Sequence, residues 1–134
     1  AAPLSRRKAM LAAALIDAYV DRLFAADDTV DDILAYREQV AAAQPALGLV
    51  MALCAGRAGV GVEIEAVGVP LADYGALPVE DFMVSLYNDH SVQRLRLTLP
   101  DGGRLDMQDV LREALAGLDA LQTRRGPRRV RPVR

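Results

Sequence analysis

From Arg6 to Ala26 the larger apolar residues Leu11, Leu15, Ile16, Tyr19, Val20, Leu23 and Phe24 recur at steps of three and four, with Asp17, Asp21 and Arg22 between them. That period gathers side chains on one side of an α-helix, so the segment predicts an amphipathic helix with a wide apolar stripe. The run Asp27-Asp28-Thr29-Val30-Asp31-Asp32 restarts the pattern. Thr29 suits the cap of a second helix over Val30 to Ala43, and carboxylates in its first turn suit the positive end of its dipole. Val30, Ile33, Leu34 and Val40 are its expected inward residues. Pro45 fits the first turn of a third, almost wholly apolar helix over Ala46 to Ala55, with Gly56 placed to end it. A helix without a polar side is expected to be buried nearly all round.

Past Gly56 the period changes from helical to alternating. Val60, Val62, Ile64 and Ala66 alternate with Gly61, Glu63, Glu65 and Val67, which predicts a half-buried strand before the break at Gly68-Val69-Pro70. Residues 71–79 carry Asp73, Gly75 and Pro78 and read as a loop. Phe82, Val84 and Leu86 alternate with Met83, Ser85 and Tyr87 as a second strand, and Asn88-Asp89-His90 reads as a tight turn. Leu95, Leu97 and Leu99 alternate with Arg94, Arg96 and Thr98 as a third strand. Pro100-Asp101-Gly102-Gly103 is a strong turn, after which Arg104-Leu105 predicts a short edge strand. Asp106 is placed to cap a last helix over Met107 to Leu121, with Val110, Leu111, Ala114, Leu118 and Leu121 inward.

Helices, then antiparallel strands, then a helix is the order of an α+β domain, because strands and helices do not alternate as a parallel sheet requires. The expected architecture is about three N-terminal helices packed on a small antiparallel sheet of three to four strands, closed by a C-terminal helix. The chain divides into one globular domain over residues 1–122 and an Arg/Pro-rich arm over residues 123–134. With 134 residues, 52% of them hydrophobic, the chain has enough to bury a core without a metal or a disulfide.

Composition then narrows the chemistry. One histidine, His90, and one cysteine, Cys54, cannot supply the nitrogen and sulfur ligands of zinc, haem or iron–sulfur centres within one chain. Lys8 is the only lysine and is followed by Ala9, so the lysine of a phosphate-binding P-loop is missing. Nothing near Lys8 desolvates it for Schiff-base work. The longest uncharged stretch, Gln39 to Gly56, is interrupted by Gln44 and Pro45 and falls short of a membrane span. The paired Arg6-Arg7 before an apolar run has the layout of an export leader, but Asp17 and Asp21 cut that run and continue the helix. A single cysteine and no span point to a reducing, cytoplasmic setting.

Charge is distributed unevenly. Arg124, Arg125, Arg128, Arg129, Arg131 and Arg134 lie in the last eleven residues, so ten basic groups face eighteen acidic ones in the rest of the chain. Arginine grips phosphate and carboxylate with two parallel donors, which makes this arm a contact candidate for an acidic protein surface, a second subunit or nucleic acid. The acidic body and the lack of tryptophan weaken the nucleic-acid reading, which normally needs a basic face with aromatic residues for stacking.

Four further groups are candidates. Glu63 and Glu65 on one strand and Arg94 and Arg96 on another each sit two apart, so each pair shares a side of the sheet and the two pairs are placed to meet, as a binding face or as solvent-facing charge pairs. Tyr87, Asp89, His90 and Ser91 gather a base, an acid and a hydroxyl at one turn, but neighbours on a turn diverge and no nucleophile-elbow motif accompanies them. Asp27, Asp28, Asp31 and Asp32 lack the spacing of a calcium loop and suit a helix start. Gly56-Arg57-Ala58-Gly59-Val60-Gly61 follows a helix and opens a strand, the reverse of a dinucleotide cradle, and reads as a connector. Cys54, on the apolar third helix, reads as a core residue.

No catalytic residue, metal site or cofactor is assigned. The expectation is a small accessory or interaction protein, a homodimer or the partner of another protein, with no membrane insertion. Glu63, Glu65, Tyr87, His90, Arg94 and Arg96 are its ligand or interface candidates. One alternative is a site for an anionic small molecule, or a small enzyme, between helices and sheet with Tyr74, Asp81, Tyr87 and His90 as polar contributors. The other is a nucleic-acid accessory acting through the arm.

Overall fold

The computed structural model describes residues 4–27, 29–68, 81 and 91–124. Three helices come first: α1 (Arg6–Ala25), α2 (Ile33–Ala43) and α3 (Pro45–Cys54). A sheet follows, with β1 (Gly61–Gly68), β2 (Ser91–Thr98) and β3 (Arg104–Asp106), and α4 (Met107–Arg124) closes the described chain. The sheet has the order β1-β2-β3 and is antiparallel throughout. This is the α+β arrangement expected from the order of the patterns. The second expected strand, residues 82–87, and the turn at residues 88–90 lie outside the described residues.

Each described helix starts where the chain offers an acceptor or a fixed φ. The Ser5 side chain accepts from the Lys8 N–H at 3.1 Å and begins α1. Asp32 accepts from the Leu34 N–H at 2.9 Å and begins α2, so the cap falls on Asp32 and not on the expected Thr29. Thr29 instead donates its N–H to Asp27 Oδ1 at 2.9 Å in a turn before the helix. Pro45 opens α3. Asp106 Oδ2 accepts from the Asp109 N–H at 3.3 Å, the capping role expected of it at α4.

The core runs through the helices. Leu47 and Val50 of α3 are fully buried, and α3 packs against α1, α2 and α4. From α1 the inward line is Ala9, Ala13, Ile16, Val20 and Leu23, from α4 it is Met107, Val110, Leu111, Ala114 and Leu118, and Leu121 is partly buried against it. Two expectations are corrected here. Leu11 and Leu15 of α1 are 60% and 72% exposed, because small alanines at 9 and 13 occupy the close contact and turn the leucines outward. On α2 the buried residues are Tyr36 and Val40, with Tyr36 tilted against Phe24 at 5.5 Å between ring centroids, while Leu34 is 68% exposed and Ile33 is partly so.

Helix α4 also packs on β2 and β3 and so joins the sheet to the helical group. Val62 of β1 lies opposite Leu97 of β2, and Ile64 opposite Leu95. Val62, Leu95 and Leu97 are buried, but Ile64 and Ala66 stand exposed at the far end of β1, where half-buried burial had been expected. The helical layer therefore covers only part of the apolar side of the sheet. The tight turn between β2 and β3 forms as the sequence predicts, with Leu99 N–H donating to the Gly103 carbonyl at 2.9 Å and Gly103 N–H to Asp101 Oδ1 at 2.7 Å.

Candidate functional site

The opposite side of the sheet carries the charges. Strand alternation sends Glu63 and Glu65 of β1, Arg94 and Arg96 of β2 and Arg104 and Asp106 of β3 to this side, and the register sets Glu63 opposite Arg96 and Glu65 opposite Arg94. The four residues singled out from the strand spacing are thus brought onto one face. Tyr74, Tyr87, Asp89 and His90 lie outside the described residues, as do residues 125–134 of the arm.

The ion pairs do not follow the directly opposed register. Arg96 Nε reaches Glu65 Oε2 at 3.4 Å and its Nη1 reaches Asp106 Oδ1 at 3.5 Å. Arg104 Nε lies 2.8 Å from Glu63 Oε1, and its Nη1 donates to Glu65 Oε2 at 3.5 Å. Arg94 turns away from Glu65 and grips Asp81, with Nη2 to Oδ2 at 3.0 Å and Nη1 to Oδ1 at 3.4 Å. Long guanidinium arms lean along the strand, so the diagonal partner is within reach wherever it offers a better-placed oxygen. Asp81, expected as a polar contributor to a small-molecule site between helices and sheet, instead pairs with Arg94 on this face, and Arg104 and Asp106, which no strand spacing singles out, join it through the β2–β3 register.

Asp81 changes what this face can do. It is 8% exposed, and Val92 on the same side of β2 is 3% exposed, so the Arg94 end of the charged face is partly covered, with the Arg94 side chain 31% exposed. A carboxylate taken so far from water needs a partner, and the two-armed contact with Arg94 supplies one. Three arginines face four carboxylates, and each arginine is engaged. Among the described residues the surface is a lattice of paired charges with no uncommitted cation to anchor an anionic ligand. Its exposed pairs each contribute only a few tenths of a kcal/mol, about 1 kcal/mol at most.

A second set of contacts lies between α1 and α2. Arg37 of α2 holds both Asp17 and Asp21 of α1, reaching Asp21 Oδ1 at 2.8 Å, and its side chain is only 22% exposed. The i, i+4 spacing of the two aspartates is the sequence signal for this clamp, and by itself it marks only the polar side of a helix. Cys54 at the end of α3 is partly buried against the core. Burial raises its thiol pKa above the ordinary value, the Asp17 carboxylate adds to the rise, and Arg37 opposes it. A thiol held protonated in this way is a poor nucleophile.

Several large apolar side chains stand in solvent. Leu11 and Leu15 of α1, Leu34 of α2, Ile64 of β1 and Leu115 of α4 are each more than half exposed. Leu11 and Leu15 are one helical turn apart and form a continuous patch with Ala14 and Ala18, which are also exposed. Among the described residues no cluster of three or more His, Cys, Asp or Glu is arranged to hold a metal ion, and no helix is long and apolar enough to cross a membrane. No protein-family model, curated protein or solved structure matches the chain.

Proposed function

We propose that this is a small accessory protein of a reducing, cytoplasmic compartment that acts by protein–protein contact, with a second copy of itself as the first partner. The observation that carries this reading is the set of exposed apolar side chains on otherwise well-packed elements, with Leu34, Ile64 and Leu115 open to a second copy and Leu11 and Leu15 to another protein. Isolated apolar side chains on a surface are ordinary, but leucines aligned one turn apart on a helix, and an isoleucine at the uncovered end of a sheet, are what a partner's apolar surface fits.

An anionic small-molecule site finds less support, since the sheet arginines that would anchor it are each held by a carboxylate. The arm's six arginines support, at most, sequence-blind contact with nucleic acid. Sedimentation equilibrium of the full chain over a hundredfold range of concentration tests the homodimer. A mass that rises from one chain to two is the expected result. A mass of one chain throughout overturns self-association and leaves contact with a different protein to the peptide measurement described next.

A further inference from the structure

The outward side of α1 is cationic on an otherwise acidic body. Its exposed line runs Arg7, Leu11, Ala14, Leu15, Ala18 and Arg22, with Lys8 beside Arg7. On α1 itself the acid bordering it, Asp21, is already held by Arg37 of α2. On a chain with eighteen acidic groups, an apolar stripe is thus bordered at both ends by cations that form no ion pair among the described residues.

This charge pattern selects among occupants. A second copy does not suit the stripe: pairing two α1 helices antiparallel brings Arg7 and Lys8 of one beside Arg22 of the other, and pairing them parallel sets each cation against its twin. A bilayer does not suit it either. The two alanines between and after the leucines leave holes that accept projecting side chains, which a bilayer lacks, and the acidic body is repelled by anionic lipid.

We infer that the outer face of α1 docks an amphipathic helix of another protein whose leucine-sized stripe is bordered at both ends by carboxylates, an inference that rests on the contact reading above. Arg7 and Arg22 are about 22 Å apart along the helix at 1.5 Å per residue, so the partner's acidic positions lie about four turns apart. Leu11 and Leu15 provide the apolar anchor, and the arginines select the partner and its register.

The test uses the full chain and two synthetic helical peptides with the same leucine stripe, one bordered by glutamates and the other by lysines. Fluorescence anisotropy at low ionic strength is expected to show the glutamate peptide binding at least tenfold tighter than the lysine peptide. Leu15→Asp is expected to weaken that binding at least tenfold. The double variant Arg7→Glu/Arg22→Glu is expected to reverse the order of the two peptides, a gain that a misfolded protein cannot produce. Equal affinity for the two peptides, no reversal, or tighter binding to phosphatidylserine vesicles than to the glutamate peptide overturns the inference. If neither peptide binds while sedimentation shows a dimer, the α1 assignment falls and the contact reading stands. If neither peptide binds and the mass stays at one chain, both fall.

Discussion

At the scale of single residues, two glycines that look alike in the sequence carry different loads. Gly56 and Gly59 both adopt positive φ, at 68° and 83°. A Cβ on Gly56 meets nothing within 4 Å, whereas one on Gly59 falls 2.9 Å from Pro100 Cα, in the turn that joins β2 to β3. The left-handed backbone costs any other residue about 1 to 2 kcal/mol, and at Gly59 a backbone clash adds to it. Gly56→Ala is therefore expected to lower the unfolding free energy by about 1 kcal/mol and Gly59→Ala by about 3 kcal/mol. Urea denaturation of the two variants side by side measures the difference, and equal losses refute the assigned contact with Pro100. The connector reading of residues 56–61 thus has a structural cause: it must bring α3 round to β1 while passing close beneath the Pro100 turn.

Between elements, the contacts that fix the arrangement are those the sequence pattern expressed least. Strand alternation and helical period place α1, β2 and α4 because each has one side filled with large apolar groups, and α3 is legible as an apolar run between Pro45 and Gly56. The same reasoning placed Leu11 and Leu15 of α1 and Leu34 of α2 inward, and it failed because period marks a stripe by hydrophobicity and not by fit. Alanines at 9 and 13 let α1 approach its neighbours closely, so the burial went to small residues that carry little pattern signal. The charged sheet face was legible as far as residues two apart on one strand; Asp81 and Arg104 reach it through tertiary proximity, which no local pattern encodes. The Arg37 clamp on Asp17 and Asp21 is of the same kind and ties α1 to α2. Replacing it with Arg37→Met leaves two carboxylates without their cation and is expected to cost about 1 to 2 kcal/mol, allowing for the partial exposure of the group. Arg37→Lys keeps the charge but loses the two-armed fork, so it is expected to recover roughly half of that loss. Denaturation midpoints with an unchanged slope check the order wild type, lysine, methionine, and a lysine variant no better than methionine would show that the fork contributes nothing beyond its stem.

For the whole molecule the decisive quantity is the uneven placement of charge. The net value of −2 hides an acidic body joined to a terminal segment with six arginines. An acidic body repels itself when compact, and a tethered cationic segment relieves that repulsion at low ionic strength, where the screening length is longest. Added salt then removes two opposed effects at once, the attraction to the arm and the repulsion within the body. Changing all six arginines from 124 to 134 to glutamine keeps only the second effect and brings the net charge to −8. The melting temperature of the natural chain is expected to fall or stay level between about 0.02 and 0.5 M salt, where the Debye length shrinks from more than 20 Å to a few ångströms. That of the glutamine variant is expected to start lower and to rise over the same range. Parallel slopes for the two proteins would mean that the arm does not act on its own body and that its charge is available to an outside surface. In that event the arm and the outer face of α1 form two separate cationic contacts on one acidic protein, and removing one would leave binding through the other unchanged.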